Sequence, residues 1–183
     1  MTETAMTDTP TPTPPIVNIA EVLADSAFSD TNRPGPGFDA TLGAVGRALG
    51  TRKIGATATT VAPGAKAWPR HYHFINDEMF VILAGTGTLH YGEADHPLKP
   101  QDVVHIEAGT GIAFQIENTG EAPLTYLALS TLEPADVFVY PDSGKIGFLA
   151  GSGPMRGDTA DGRPRMIRFI AEDMKTGYWD GEV

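Results

Sequence analysis

The stretch Gly64–Gly85 reads GAKAWPRHYHFINDEMFVILAG, and both fold and chemistry turn on it. Residues i and i+2 of a strand project to one face. If Arg70–Phe74 is a strand, His71 and His73 point the same way. Asn76-Asp77 has turn chemistry. Glu78 then opens a second apolar run, MFVILA, and shares a face with Phe80 and Ile82. The expectation is a hairpin that brings two imidazoles and one carboxylate to one point. Two neutral nitrogens and one carboxylate oxygen suit Zn, Fe, Mn, Ni or Co, with positions left open for water or substrate. The plainer alternative is a pair of ordinary surface histidines and a solvated strand end.

Outward from this stretch, length and composition narrow the class. A chain of 183 residues, 41% apolar, suits one domain with a sizeable core. It has no cysteine, which removes disulfides and thiolate ligands and fits a reducing cytosol. A formal net charge of −10 with no basic stripe argues against a nucleic-acid partner. No apolar run reaches the length of a membrane span. The N-terminus, MTETAMTDTPTPTPP, lacks the basic region and apolar core of a secretory signal. A cytoplasmic location is expected.

In chain order, residues 1–15 predict a disordered Thr/Pro-rich tail. Residues 16–53 predict a segment packing on the main domain. It has a short helix around Ala20–Ala27, a turn-rich stretch at Ser29–Gly37, and LGAVGRALG, open between helix and glycine-broken strand. Ile54–Val61, IGATATTV, predicts a strand. Trp68 predicts core or interface packing, with a pocket mouth as the alternative. Further short strands are expected at Thr88–Tyr91, Asp102–Ile106, Ile112–Glu117 and Leu124–Thr131, with GEADHP and NTGEAP as turns. Many short strands between Gly/Pro/Asn clusters indicate a sandwich or closed barrel over 54–132. Alternation turns His105 and His90 outward, and His96 falls in a turn.

The last part, 133–183, predicts an extension with strands and a mobile loop. DVFVYPDSGKIG reads as strand and tight turn; the sharper alternative is a flap carrying Tyr140, Asp142 and Lys145 toward a ligand. Gly151–Pro164 predicts the loop, and its RGD triplet is given no adhesive meaning. Arg165–Ile170 predicts a strand. Tyr178 and Trp179 are expected to dock on the barrel or across a dimer.

The Gly64–Gly85 stretch resembles the first motif of the cupin superfamily: Gly, His-x-His, Glu, Gly. Gly64, His71, His73, Glu78 and Gly85 fill those places, with one extra residue between Gly64 and His71. The resemblance implies an all-β, jelly-roll β-barrel with a short N-terminal helix and a C-terminal extension. It also implies one divalent metal ion, Zn, Fe, Ni or Mn, held by His71, His73 and Glu78. The segments YPDSGK and YWDGE resemble a bacterial group of stand-alone cupins.

The second motif departs from the family pattern. In QDVVHIEAGTGIAFQIEN, Gln101 and Glu107 replace a glycine and a proline, while Gly109 and Asn118 remain as anchors. The fourth ligand, a histidine, is replaced by Ile112 counting from Gly109, or by Phe114 counting from Asn118; the second alignment is preferred. Ile112, Phe114 and Ile116 are expected to face the barrel interior and, with Phe80 and Ile82, to line a partly apolar pocket. Three outcomes stay open: a three-ligand metal site, a substitute ligand, or weak or absent metal binding. The resemblance implies action on, or binding of, a sugar, sugar phosphate or small organic acid. Dioxygenase, decarboxylase and isomerase chemistry all remain open, as do a non-catalytic binder and a dimeric scaffold. A homodimer is expected. Arg70 and Tyr72 alternate away from the site, and no separate general base is identified.

Overall fold

The computed structural model describes residues 15–151 and 166–171. The Thr/Pro-rich tail, nearly all of the Gly151–Pro164 loop and the Tyr178–Trp179 end lie outside these residues. In chain order the elements are α1 (Ile19–Ala24), β1 (Ser29–Asn32), β2 (Ala40–Gly43), α2 (Val45–Leu49), β3 (Ile54–Val61) and β4 (Tyr72–His73). Next come β5 (Glu78–Ala84), β6 (Gly87–Tyr91), β7 (Ala94–Leu98), β8 (Val103–Ile106), β9 (Phe114–Glu117) and β10 (Leu124–Thr131). β11 (Ala135–Tyr140), β12 (Lys145–Ala150) and β13 (Met166–Ala171) end the described chain.

One sheet runs β1-β2-β3-β10-β5-β8. A second runs β13-β12-β11-β4, and a third β7-β6-β9. A bridge between His71 and Phe114 links the second and third sheets into one curved layer. That layer faces the six-stranded sheet. Between them lies the main core, with Val61, Phe80, Ile82, Ile106, Leu124 and Tyr126 from one side and Leu89, Phe114 and Ile116 from the other. Period-2 alternation produces this: β8 buries Val104 and Ile106 and exposes Val103, and β9 reads buried-partial-buried-partial. The fold is all-β, a jelly-roll barrel.

Both helices lie on the outer face of the six-stranded sheet, where Val22, Val45 and Ala58 form a separate small core with Leu127 against it. Asn18 caps α1, its side-chain oxygen accepting from the Ala20 and Glu21 N–H groups. The helix starts at Ile19 and stops at Ala24, three residues short of the expected end. LGAVGRALG proves to be both candidates in turn: β2 ends at Gly43 and α2 begins at Val45. The turn-rich Ser29–Gly37 stretch opens with β1, a polar edge strand paired to β2, whose lack of apolar alternation hid it. GEADHP is a turn only at Gly92-Glu93; Ala94–Leu98 pairs with β6, so exposed His96 sits on a strand. No helix among the described residues is long and apolar enough to cross a membrane.

Candidate metal centre

The expected hairpin between the histidine strand and the glutamate strand does not form. β4 pairs with β11, whereas β5 pairs with β10 and β8. The chain between them crosses from one sheet to the other instead of folding back. Asn76, 6% exposed, holds the corner. Its amide nitrogen donates to Asp136 Oδ2 at 2.9 Å, and its oxygen accepts from Thr131 Oγ1 (3.0 Å) and Glu133 N (2.9 Å). A buried amide with its partners in place costs little; turned outward it would take one partner from each of three groups.

The crossing still brings the three groups together. Ligand-type atoms of His71, His73 and Glu78 all lie within 4.8 Å of one another. Glu78 Oε2 is 3.9 Å from His71 Nε2 and 3.7 Å from His73 Nε2. His71 is braced on the far side by main-chain bonds with Phe114: its N–H donates to the Phe114 carbonyl (3.1 Å) and its carbonyl accepts from the Phe114 N–H (2.8 Å). Gly85 ends the glutamate strand at φ +78°, where a Cβ would meet the Pro123 carbonyl oxygen at 2.4 Å.

Hydrogen bonding fixes the direction of both imidazoles. His71 Nδ1 is 2.8 Å from the Pro69 carbonyl oxygen, which can only accept, so the proton sits on Nδ1. His73 Nδ1 is 2.6 Å from Asp136 Oδ2, with the same result. Both Nε2 atoms therefore face Glu78 with a lone pair whenever the rings are neutral. Burial, helped by repulsion from His73, lowers the His71 pKa to about 4. For His73, burial opposes charge, but the Asp136 hydrogen bond and the nearby Glu78 and Asp136 charges outweigh it and raise its pKa. Burial raises the pKa of Glu78. Glu78 Oε2 is buried with no hydrogen-bond partner.

Asp136 was not found from the sequence. It is 2% exposed and also accepts from the Ile75, Asn76 and Val137 nitrogens. Burial opposes its charge, yet these bonds and His73 hold its carboxyl below the usual range. It stands 63 residues from His73 in sequence. The available signal was an acid sharing a strand face with Phe138 and Tyr140.

A cavity of about 480 Å³ opens on the trio. Phe80, Phe114 and Ile116 line it, as do Trp68, Gln115, Thr59, Tyr126 and Tyr140. Ile82, 1% exposed, packs in the core and is not among the lining residues. Ile112 lies outside it: it precedes β9, is 36% exposed and packs toward Gly92. Gly111, at φ +73°, breaks the extended chain just before it. Phe114 is 2% exposed, its ring 4.7 Å from the His71 ring. Tyr140 stacks on His71 at 5.6 Å. Its flap companions do not line the cavity: Asp142 is 3.4 Å from Arg70, and Lys145 lies over the Tyr140 ring, 5.9 Å from its centroid. The other histidines stand apart, His90 between Asp95 and Glu117 and His105 exposed beside Asp77.

Comparison with known proteins agrees with this fold. The cupin domain model matches residues 58–130. Auxin-binding protein 1 of Arabidopsis thaliana is 29% identical over 133 residues, 68% of this chain. The match spans 64% of that relative's length. A solved sugar phosphate isomerase of the cupin superfamily, from Silicibacter pomeroyi, is 26% identical with a TM-score of 0.62, covering 77% of this chain and 82% of that one. A structure from Acidithiobacillus ferrooxidans, provisionally described as a sugar phosphate isomerase, shares the fold at 21% identity and a TM-score of 0.69, covering 88% and 95% of the two chains.

Proposed function

The chain is a member of the cupin superfamily, and on that premise we propose that it binds one divalent cation through His71 Nε2, His73 Nε2 and Glu78 Oε2. Beside the cation it takes a small oxygen-bearing molecule: a sugar, a sugar phosphate or a small organic acid. One observation carries the reading. A buried carboxylate oxygen with no partner faces two imidazole nitrogens whose protons are held on the opposite side of each ring. Left alone, such an oxygen destabilises the fold; a cation satisfies all three groups together. The donor set, two nitrogens and one carboxylate oxygen, fits a borderline divalent ion.

When bound, the ion supplies Lewis acidity toward a ligand oxygen. The chain's own residues do the rest. Asp136 orients His73 and strengthens it as a donor. The Pro69 carbonyl does the same for His71. Phe114 closes the position from which a fourth nitrogen comes in the family pattern, leaving that side dry and apolar. The likeness to a sugar phosphate isomerase supports a hydroxylated ligand. The aromatic wall of Phe80, Phe114 and Tyr140 favours a second reading, a binder without turnover.

The test is elemental analysis of the purified protein beside the His71→Ala/His73→Ala double variant. About one equivalent of metal is expected in the first and none in the second. Equal metal in both removes these residues as ligands. A small-molecule turnover screen repeated with Glu78→Ala then separates enzyme from binder.

A further inference from the structure

We propose that Thr57 and Ser130 form an uncharged hydroxyl pair on the cavity wall beside Glu78 and select a hydroxyl-rich ligand, a sugar or a sugar acid. They bind its hydroxyls while its leading oxygens meet the cation. The proposal rests on the metal-site reading and narrows its ligand class.

Strand alternation fixes where both side chains point. On β10, Tyr126 and Ala128 belong to the main core and Leu127 to the outer one, so Ser130 faces inward. On β3, Val61 belongs to the main core and Ala56 and Ala58 to the outer one, so Gly55 and Thr57 face inward too. Ser130 stands opposite Glu78 on one side and Gly55 on the other, and Thr57 stands opposite Ala128. Thr57 and Ser130 are thus diagonal neighbours, roughly 7–8 Å apart along the backbone, a span that one small ligand bridges. Both line the cavity and both are half-buried, so a ligand reaches them. Neither hydroxyl makes a hydrogen bond among the described residues. Threonines beside them on the same strands are satisfied, Thr60 by Thr125 at 3.1 Å and Thr131 by Asn76 at 3.0 Å.

The wall is cut back at this place. A Cβ built on Gly55 would stand 2.4 Å from Ser130 Oγ, so the glycine gives that oxygen its room. Glycine inside a strand weakens it and marks a close approach. With Ala128 it leaves a recess beside the Phe80 and Tyr126 rings, which lie 5.8 Å apart. A second observation points to the same place. Glu78 Oε2, across the ladder from Ser130, is buried without a partner. A ligand seated in the recess therefore meets the two hydroxyls and the candidate cation together. Two hydroxyls donate and accept at once, which matches the hydroxyls of a polyol. Glu78 is the only charged side chain at the inward positions of β3, β5 and β10. A phosphate on this wall would be desolvated with no side-chain cation to meet it.

The experiment is calorimetric titration of the zinc-loaded protein with D-erythronate and 2-hydroxybutanoate. Both are four-carbon acids with a 2-hydroxyl, and the first carries two further hydroxyls on carbons 3 and 4. Wild type is expected to bind the first about tenfold more tightly, the weight of two ordinary hydrogen bonds. Thr57→Val and Ser130→Ala should each cut that preference to about threefold, and the double variant should abolish it. Thr57→Ser should keep it. Zinc content and the affinity for 2-hydroxybutanoate should stay the same in all of them, which a merely structural role for the two hydroxyls would not produce. A zinc-loaded wild type that binds neither acid or shows no preference overturns the proposal, as does a double variant that keeps the preference. A wild type that takes up no zinc sinks the metal-site reading instead, and this inference with it.

Discussion

At the scale of single residues, the pair His73–Asp136 shows what spacing can and cannot reveal. His71, His73 and Glu78 were legible because strand periodicity and a short linker put them within reach of one another. Asp136 was not, since it lies on β11, 63 residues beyond its partner His73. In the metal-free protein the pair has a definite pH signature. The folded pKa of Asp136 lies below 3.8, so its contribution is present above 3.8 and lost as pH falls through that lowered value. The folded pKa of His73 lies above 6.5, so its contribution is present below 6.5 and lost as pH rises through that raised value. A double-mutant cycle with His73→Phe and Asp136→Asn should therefore give a coupling of about 2 kcal/mol between those limits, fading on both sides. Urea titrations from pH 3 to 9 measure it. A flat profile would mean that the two side chains do not share a proton-dependent bond.

At the scale of elements, most strands could be read and their pairing could not. Ile54–Val61 and Leu124–Thr131 were read with their observed ends, because β-branched residues run between clear turn signals. The hairpin failed because Asn76 and Asp77 look like turn residues. What Asn76 does is determined by three partners distant in sequence: Thr131, Glu133 and Asp136. The β11–β12 pair shows the same dependence on tertiary neighbours. Phe138 lies opposite Gly147, and a Cβ built on Gly147 would stand 2.0 Å from the Phe138 ring. The ring therefore rests on bare glycine backbone and presents its other surroundings to His73, 5.6 Å away. Gly147→Ala should cost about 1–3 kcal/mol by displacing that ring. It should also shift the His73 ring resonances in NMR spectra. An unchanged urea midpoint would show that the ring does not lie over the glycine.

At the scale of the whole molecule, the candidate ligands come from two layers that packing and the Asn76 hydrogen bonds already hold together. His71 and His73 belong to the curved layer, Glu78 to the six-stranded sheet. A cation held by all three would tie the two layers together, so its binding energy appears as folding stability. Zinc at about 100 times its dissociation constant should add about 2.7 kcal/mol, or roughly 5–10 °C in Tm for a chain of this size. Differential scanning fluorimetry with and without zinc checks this, with EDTA reversing the rise and the double histidine variant showing none. The barrel class itself was legible from the rhythm of short strands. The order of those strands was not, because sheet membership depends on contacts that no local pattern encodes.

Phe114 braces His71 through main-chain bonds, while its ring lies 4.7 Å from the His71 imidazole, where the proposed reading would put a fourth donor. Scaffold and reactivity are thus assigned to different atoms of one residue. Descendants of this gene can exchange the ring for a coordinating side chain, or give one up again, without unpicking the ladder beneath it. Position 114 is where this barrel can change occupation without changing shape.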